Sequence, residues 1–325
     1  MESGIRSYCP YGIDIAGSGT DDPGFSRTFG GAAISATIDY GVYIDYMETA
    51  TPLETPVQGS RNEGPMGDEN AAQASLLERV LADLGITKGR ATVNGAFPMA
   101  PAYFKSASIC VAAAKLSDYI FRHDLDELSL VAGSYEVGRK FFDPMATKSR
   151  FYSAAIGGIK IIESGPGNGV RVIEDMPRRI AADLSERMLL AFPPVSEVSP
   201  EQQGRKIAWN DEMKRNYLLG ERRDNAVTAW EYLRKGRIDD FMDRINLDWQ
   251  NSVDIWGKKR EAVKQIYSAA FGNGAIAMSQ SAYGVNAPIV IFTESGSKDR
   301  LTHALKGCTR SLAEVHVDFA GARLY

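Results

Sequence analysis

Residues 97 to 121, FPMAPAYFKSASICVAAAKLSDYIF, are the stretch on which the reading of the whole chain turns. The run Phe97-Pro98-Met99-Ala100-Pro101 has turn chemistry, because two prolines each fix φ and remove a backbone donor. It leads into Lys105-Ser106-Ala107-Ser108. Behind these, Ile109, Cys110, Leu116, Tyr119 and Ile120 recur near the helical period, which predicts a buried helix with Ser106 or Ser108 as its N-cap. A lysine and two hydroxyls at such an N-terminus suit an anion, since free N–H groups and the helix dipole point there. The same residues also make an ordinary capped core helix, and most helix starts bind nothing.

Upstream, Ala91 to Phe97 reads as a strand feeding this turn, and residues 71 to 84 as an amphipathic helix. Residues 50 to 70 are polar and rich in proline and glycine, which reads as a loop or lid. Tyr11 to Ala16 is a short apolar strand. It ends in the turn cluster Gly17-Ser18-Gly19-Thr20-Asp21-Asp22-Pro23-Gly24. Phe29-Gly30-Gly31 then opens Ala32 to Tyr46, whose alternation predicts a half-buried strand. Asp21 and Asp22 in a glycine turn suit a cation or sugar hydroxyls, and equally suit plain turn chemistry.

Downstream, Leu128 to Val131 reads as a short strand. The segment from Glu136 to Arg150 reads as a basic loop, with Arg139, Lys140, Lys148 and Arg150 around Asp143. Such a group is either solvated surface or a phosphate site. Ile159 to Glu163 and Val170 to Ile173 form a hairpin about Gly165-Pro166-Gly167-Asn168-Gly169. Met188 to Phe192 is a further strand. Residues 208 to 271 are mostly helical, with Trp230, Phe241, Trp249 and Trp256 as core anchors. Gly272 to Gly284 is rich in small residues. Pro288 to Thr293, a helix from Lys298 to Gly307 and a strand from Glu314 to Phe319 close the chain. This order predicts an α+β protein with helices packed on mixed sheets.

The chain has 325 residues and a formal charge of −4, which predicts two domains, placed at 1–180 and 181–325. An acidic total argues against general nucleic-acid binding. No apolar run is long enough to span a membrane and no leader is evident, so a cytoplasmic protein is expected. Cys9, Cys110 and Cys308 have no metal-type spacing, and His123, His303 and His316 do not cluster. Zinc chemistry and a histidine-based triad are not expected.

At these residues the chain resembles the GHMP kinase superfamily, the fold of galactokinase, homoserine kinase and mevalonate kinase. Pro10 to Pro23 resembles the heptose-kinase opening, a strand followed by G-G-G-T-D-x-P, and Phe29-Gly30-Gly31 fits it. Gly236, Asp240, Phe241 and Trp249 resemble the C-terminal half of those kinases. The family's phosphate loop, P-x-x-x-G-L-G-S-S-(S/A), matches Pro98 to Ser108. Its glycines are absent here, Lys105 stands among them, and the serines are retained. The heptose-kinase segment K-Q-D-Q-Y-A-A-A-F-G-G matches Lys148 to Gly158, with Arg150 in place of the catalytic aspartate.

Other stretches resemble the β-ribofuranosylaminobenzene 5′-phosphate synthase branch of the fold. They are Arg27-Thr28-Phe29-Gly30-Gly31, Phe104 to Ser108, Phe192-Pro193-Pro194 with Ser199 to Gln203, and Ser279-Gln280-Ser281-Ala282-Tyr283-Gly284 before Pro288. This resemblance implies a decarboxylative C-glycosyl transfer from phosphoribosyl pyrophosphate to an aromatic carboxylic acid, in a Mg²⁺-dependent homodimer. Arg150, Lys105 and Asp143 would be the catalytic group. Asp21, Asp22 or Asp143 would hold the metal. Gly19, Thr20, Asp21, Asp22, Arg27, Gly30, Gly31, Ser106, Ser108, Arg139, Lys140, Lys148, Gln280, Ser281, Tyr283, Gly284 and Asn286 would bind substrate and phosphate. The alternative is an ATP-dependent sugar or heptose-type kinase, with Ser106 on Mg²⁺, Lys105 on phosphate and Asp143 as base. A non-catalytic binding protein of this fold is the third reading.

Overall fold

The computed structural model describes residues 4–56, 65–96, 102–142, 147–165, 169–174, 176–194, 212–256, 261–280 and 287–325. The elements run β1 (Ile5–Ala16), α1 (Pro23–Phe29), β2 (Gly31–Pro52), α2 (Pro65–Asp83), β3 (Lys88–Gly95), α3 (Ala102–Phe121), α4 (Glu127–Phe142), α5 (Lys148–Ile156), β4 (Ile159–Ser164) and β5 (Val170–Ile173). They continue with α6 (Arg178–Glu186), β6 (Met188–Phe192), α7 (Glu212–Arg234), α8 (Ile238–Trp256), α9 (Glu261–Phe271), β7 (Ala275–Gln280), β8 (Ile289–Thr293), α10 (Lys298–Leu305), β9 (Ser311–Glu314) and β10 (Arg323–Leu324). A six-stranded sheet has the order β10-β1-β2-β4-β5, with β3 also on β2, and a four-stranded sheet has the order β7-β8-β6-β9. The chain is therefore an α+β protein, as its pattern of elements predicts.

Two compact units share the chain. One gathers Met1–Gly12, Thr37–Gly158 and Asp318–Tyr325; the other gathers Ile13–Ala36 and Ile159–Val317. In the first unit α3 packs on α4 and α5. Tyr11 packs against Phe104 with the rings tilted and centroids 5.0 Å apart, and Tyr135 meets Phe151 edge-on at 5.5 Å. Gly138 makes the second contact possible, because a Cβ there would lie 2.4 Å from the Phe151 ring. Cys9 and Cys110 are buried thiols in this core, and burial pushes the Cys110 pKa up to about 12. In the second unit α9, α10 and Trp249 cover the four-stranded sheet, with Leu189, Ile289 and Ile291 beneath them. Trp230, Phe241 and Trp249 are buried there as core anchors.

Several expectations are corrected. Leu128 to Val131 is not a strand but lies inside α4, where an amphipathic helix buries Leu130 and Val131. Ser106 and Ser108 are not N-caps, because α3 starts at Ala102. The packing of Phe104 on Tyr11 extends the helix back over them. The basic stretch is not one loop: Arg139 and Lys140 sit in α4, while Lys148 and Arg150 open α5. The last strands are β9 and β10, so the strand expected over Glu314 to Phe319 is displaced to either side. The small-residue stretch after Gly272 contains β7, where Ala277, Met278 and Ser279 are buried against β8. The loop expected over residues 50 to 70 is shorter than that, because β2 runs on to Pro52 and α2 begins at Pro65. Residues 57–64 of that loop, the turn Phe97 to Pro101 and Trp256's side chain lie outside the described residues.

Candidate functional site

In the first unit the positive charge is buried. Lys105 in the first turn of α3 is fully buried, and Lys148 and Arg150 in the first turn of α5 are nearly so. Thr147 precedes α5 but makes no side-chain cap to the backbone; its Oγ1 instead accepts from Arg150 Nε at 3.1 Å. Arg139 and Lys148 both approach the ring of Tyr135, at 6.0 and 5.9 Å from its centroid, so α4 and α5 bring two cations to one aromatic ring. Arg139 also lies 3.7 Å from Glu136. Ser106 is buried beside Lys105. Ser108 faces β1 and its hydroxyl donates to the Pro10 carbonyl at 2.7 Å, which ties helix to strand. Lys140 is exposed and binds both carboxylate oxygens of Asp83 at 2.8 Å.

In the second unit the glycine turn is held from several sides. Gly17 and Gly19 have φ of +71° and +88°, which only glycine adopts without strain. The Thr20 hydroxyl lies 2.8 Å from the Gly17 and Ala32 carbonyls and accepts the Ala32 N–H at 3.0 Å, so it pins the turn to β2. Asp22 caps α1, its Oδ1 accepting from Gly24 N–H at 2.7 Å. Asp21 is buried beside it, whereas Arg27 on the last turn of α1 is exposed. Gly31 lets β2 pass the turn, since a Cβ would lie 2.2 Å from the Thr20 carbonyl oxygen. Gly30 closes α1, donating to the Ser26 carbonyl with φ +74°. At the end of β7, Gln280 is buried and donates to the Ala287 carbonyl at 2.6 Å. Asp143, Ser281, Tyr283, Gly284 and Asn286 lie outside the described residues.

Charged groups that sequence reasoning missed stand beside this turn. Asp14 on β1 is buried and accepts from Ser18 Oγ at 2.8 Å and Ser35 Oγ at 2.7 Å. Ser35 is directly opposite Lys160 in the β2–β4 register, so Asp14, Ser35 and the fully buried Lys160 share one sheet face. Asp248 on α8 accepts the Gly17 N–H at 3.3 Å and pairs with Arg222 of α7 at 2.6 and 3.0 Å. The available signal was a charge within an apolar strand, in Ile13-Asp14-Ile15 and Ile159-Lys160-Ile161.

As for metal binding, the described residues hold no group of three or more histidine, cysteine or acidic side chains that would cage an ion. Mg²⁺ carried by a nucleotide needs only one or two protein carboxylates, and buried Asp21 next to the cap Asp22 fits that demand.

The chain has the fold of the GHMP kinases. Among solved structures it is similar to a D-glycero-D-manno-heptose 1-phosphate kinase from Bacteriodes thetaiotaomicron, with TM-score 0.74 and 20% identity over 99% of this chain and 98% of that one. It is also similar to a putative sugar kinase from Campylobacter jejuni, with TM-score 0.72 and 18% identity over the same shares of the two chains. The L. major mevalonate kinase in complex with R-mevalonate is also similar, with TM-score 0.71 and 16% identity over 99% of this chain and all of that one. No protein-family model matches the chain, and comparison with curated protein sequences gives no match either. Within the described residues no helix is long and apolar enough to cross a membrane.

Proposed function

We propose that the protein is a small-molecule kinase, moving a phosphoryl group from a nucleoside triphosphate to a hydroxyl of a sugar-type acceptor. The observation that carries this reading is the burial of Lys105, Lys148 and Arg150 in the opening turns of α3 and α5. Cations at helix N-termini oppose the dipole, and positive charge already held in a low-dielectric interior attracts a polyanion more strongly than it would in water. The similarity to sugar and mevalonate kinases supports phosphoryl transfer over the decarboxylative C-glycosyl transfer.

Phosphoryl transfer rests largely on positioning and electrostatics. With Arg150 where the resemblance places a catalytic aspartate, the proton of the acceptor hydroxyl would pass to Asp143, the base of this reading. Mg²⁺ bound with the nucleotide would supply charge neutralisation at the leaving phosphate. In this reading Lys105 and Arg150 hold the transferred group, Lys148 and Arg139 add positive potential, and Ser106 contributes a hydroxyl.

The test is thermal stability with Mg²⁺ plus ATP or phosphoribosyl pyrophosphate, followed by ADP release with sugar phosphates. A ligand at a hundredfold excess over its Kd should stabilise by about 2.7 kcal/mol. Stabilisation by ATP that is lost in Arg150→Ala supports the kinase. The buried cation Arg150 favours one second reading, the phosphoribosyl pyrophosphate-dependent transferase, which a shift with that donor alone would establish. No shift with either leaves a non-catalytic binding protein. The homodimer implied by the resemblance is a separate proposal, checked by light scattering.

A further inference from the structure

Beside the β4–β5 hairpin of the second unit lies a cavity of about 620 Å³, within the usual range for small-molecule sites. Its walls come from the end of α1, the glycines flanking the hairpin, β4, β5 and α7. Four ionisable side chains line it as two ion pairs, Arg171 with Glu163 at 3.5 Å and Arg223 with Asp224 at 2.7 Å. The lining is therefore neutral in sum, with each charge answered by its neighbour, so it offers no net attraction to an anion such as a phosphate. It is nonetheless dense in donors and acceptors. Planar guanidinium and carboxylate groups each match two adjacent hydroxyls, donating and accepting respectively.

The apolar part of the lining points to the same class of ligand. Phe29 is 48% exposed although it lies against Phe25 at 5.2 Å. Its ring is thus fixed and half uncovered, a surface that suits the C–H face of a saturated ring. Val227 on α7 is also exposed beside the cavity. The wall is pre-organised, because Arg223 Nη1 donates to the Phe29 carbonyl at 2.6 Å. Ser164 lines the cavity, is buried, and has no hydrogen-bond partner for its hydroxyl among the described residues. A Cβ added at Gly169 would meet nothing within 4 Å, so packing does not demand glycine at that edge.

We propose that this cavity binds a neutral, polyhydroxylated ring, a sugar without phosphate, using none of the buried cations of the phosphoryl-transfer reading, although it shares Gly30 and Gly31 with the substrate set that the resemblance implies. The test is saturation-transfer NMR on the full chain with glucose, mannose and maltose, in the absence of nucleotide. Saturation should reach the ring C–H protons. Phe29→Ala and Val227→Trp should each weaken binding about tenfold, and Arg150→Ala should leave it unchanged. Both substituted side chains are solvent-exposed, and unchanged melting curves would show that the variants fold. Absence of saturation transfer with all three sugars would overturn the proposal. Binding that survives both substitutions would also overturn it, because the sugar would then lie elsewhere. Binding abolished by Asp21→Asn but not by Phe29→Ala would return the ligand to the glycine turn. None of these readouts uses turnover, so failure of the kinase reading leaves the proposal standing or falling by itself.

Discussion

Asp248 shows how one buried carboxylate organises a turn. Its side chain pairs with Arg222, and both are almost wholly buried. The same carboxylate accepts the Gly17 N–H, so the ion pair also holds the backbone of the glycine turn. Asp248→Ala would leave a buried guanidinium without its counter-charge, and should cost about 3–5 kcal/mol in urea unfolding. Replacing both partners, with Arg222→Met and Asp248→Leu, should cost less than the single change, because no uncompensated charge remains. If the double variant is as unstable as Asp248→Ala alone, hydrophobic replacement has recovered nothing and this account is wrong. Asp14 has the same character: two serine hydroxyls satisfy a carboxylate within an apolar strand.

Among the elements, α5 is the one whose composition conflicts with its position. It has no acidic residue in the first turn, and Lys148 and Arg150 stand where the dipole disfavours cations. By contrast α4 begins conventionally, Asp126 accepting from the Ser129 N–H at 2.9 Å. The Ser129 hydroxyl and N–H hold the Asp126 carboxyl below the usual range. Local disagreement of this kind is expected where an element serves binding before stability. Thr147→Asp should therefore raise the stability of the ligand-free protein by about 1 kcal/mol. It should also weaken Mg²⁺–ATP binding, measured by calorimetry. A variant that is more stable and binds ATP as tightly as the parent would show that the start of α5 holds no phosphate.

At the scale of the molecule the two compact units are interleaved along the chain. The first needs Asp318–Tyr325 from the far end, and the second takes Ile13–Ala36 from the beginning. In the first unit β10 pairs with β1, with Ser7 opposite Leu324, and Arg323 bonds Asp318 at 3.0 Å. Ala322 N–H also donates to the Ala155 carbonyl at 2.9 Å. The division proposed near residue 180 can be tested as a folding boundary by expressing 1–180 alone. That fragment lacks the closing segment, and should give a broad, non-cooperative melt. A sharp transition in the fragment would establish 180 as a boundary.

Much of the fold was legible where neighbours in sequence decide the structure. The alternation from Ile38 to Tyr46 lies within β2, the helical period over 71–84 falls largely within α2, and Pro288 to Thr293 contains β8. A period is a local property, and burial of one face reinforces it. The glycine turn was legible for the same reason, since Gly17 and Gly19 occupy left-handed backbone. What the tertiary structure decided was set by contacts distant in sequence. Phe104 against Tyr11 lengthened α3 past its expected cap, and Lys140 found Asp83 on α2. The register of β4 on β2 set Lys160 opposite Ser35, and Asp14 completed the row through its bond to Ser35. Local pattern specifies which face of an element turns inward. Which charges meet there depends on the register and packing of segments more than a hundred residues apart, as with Gly17 and Asp248.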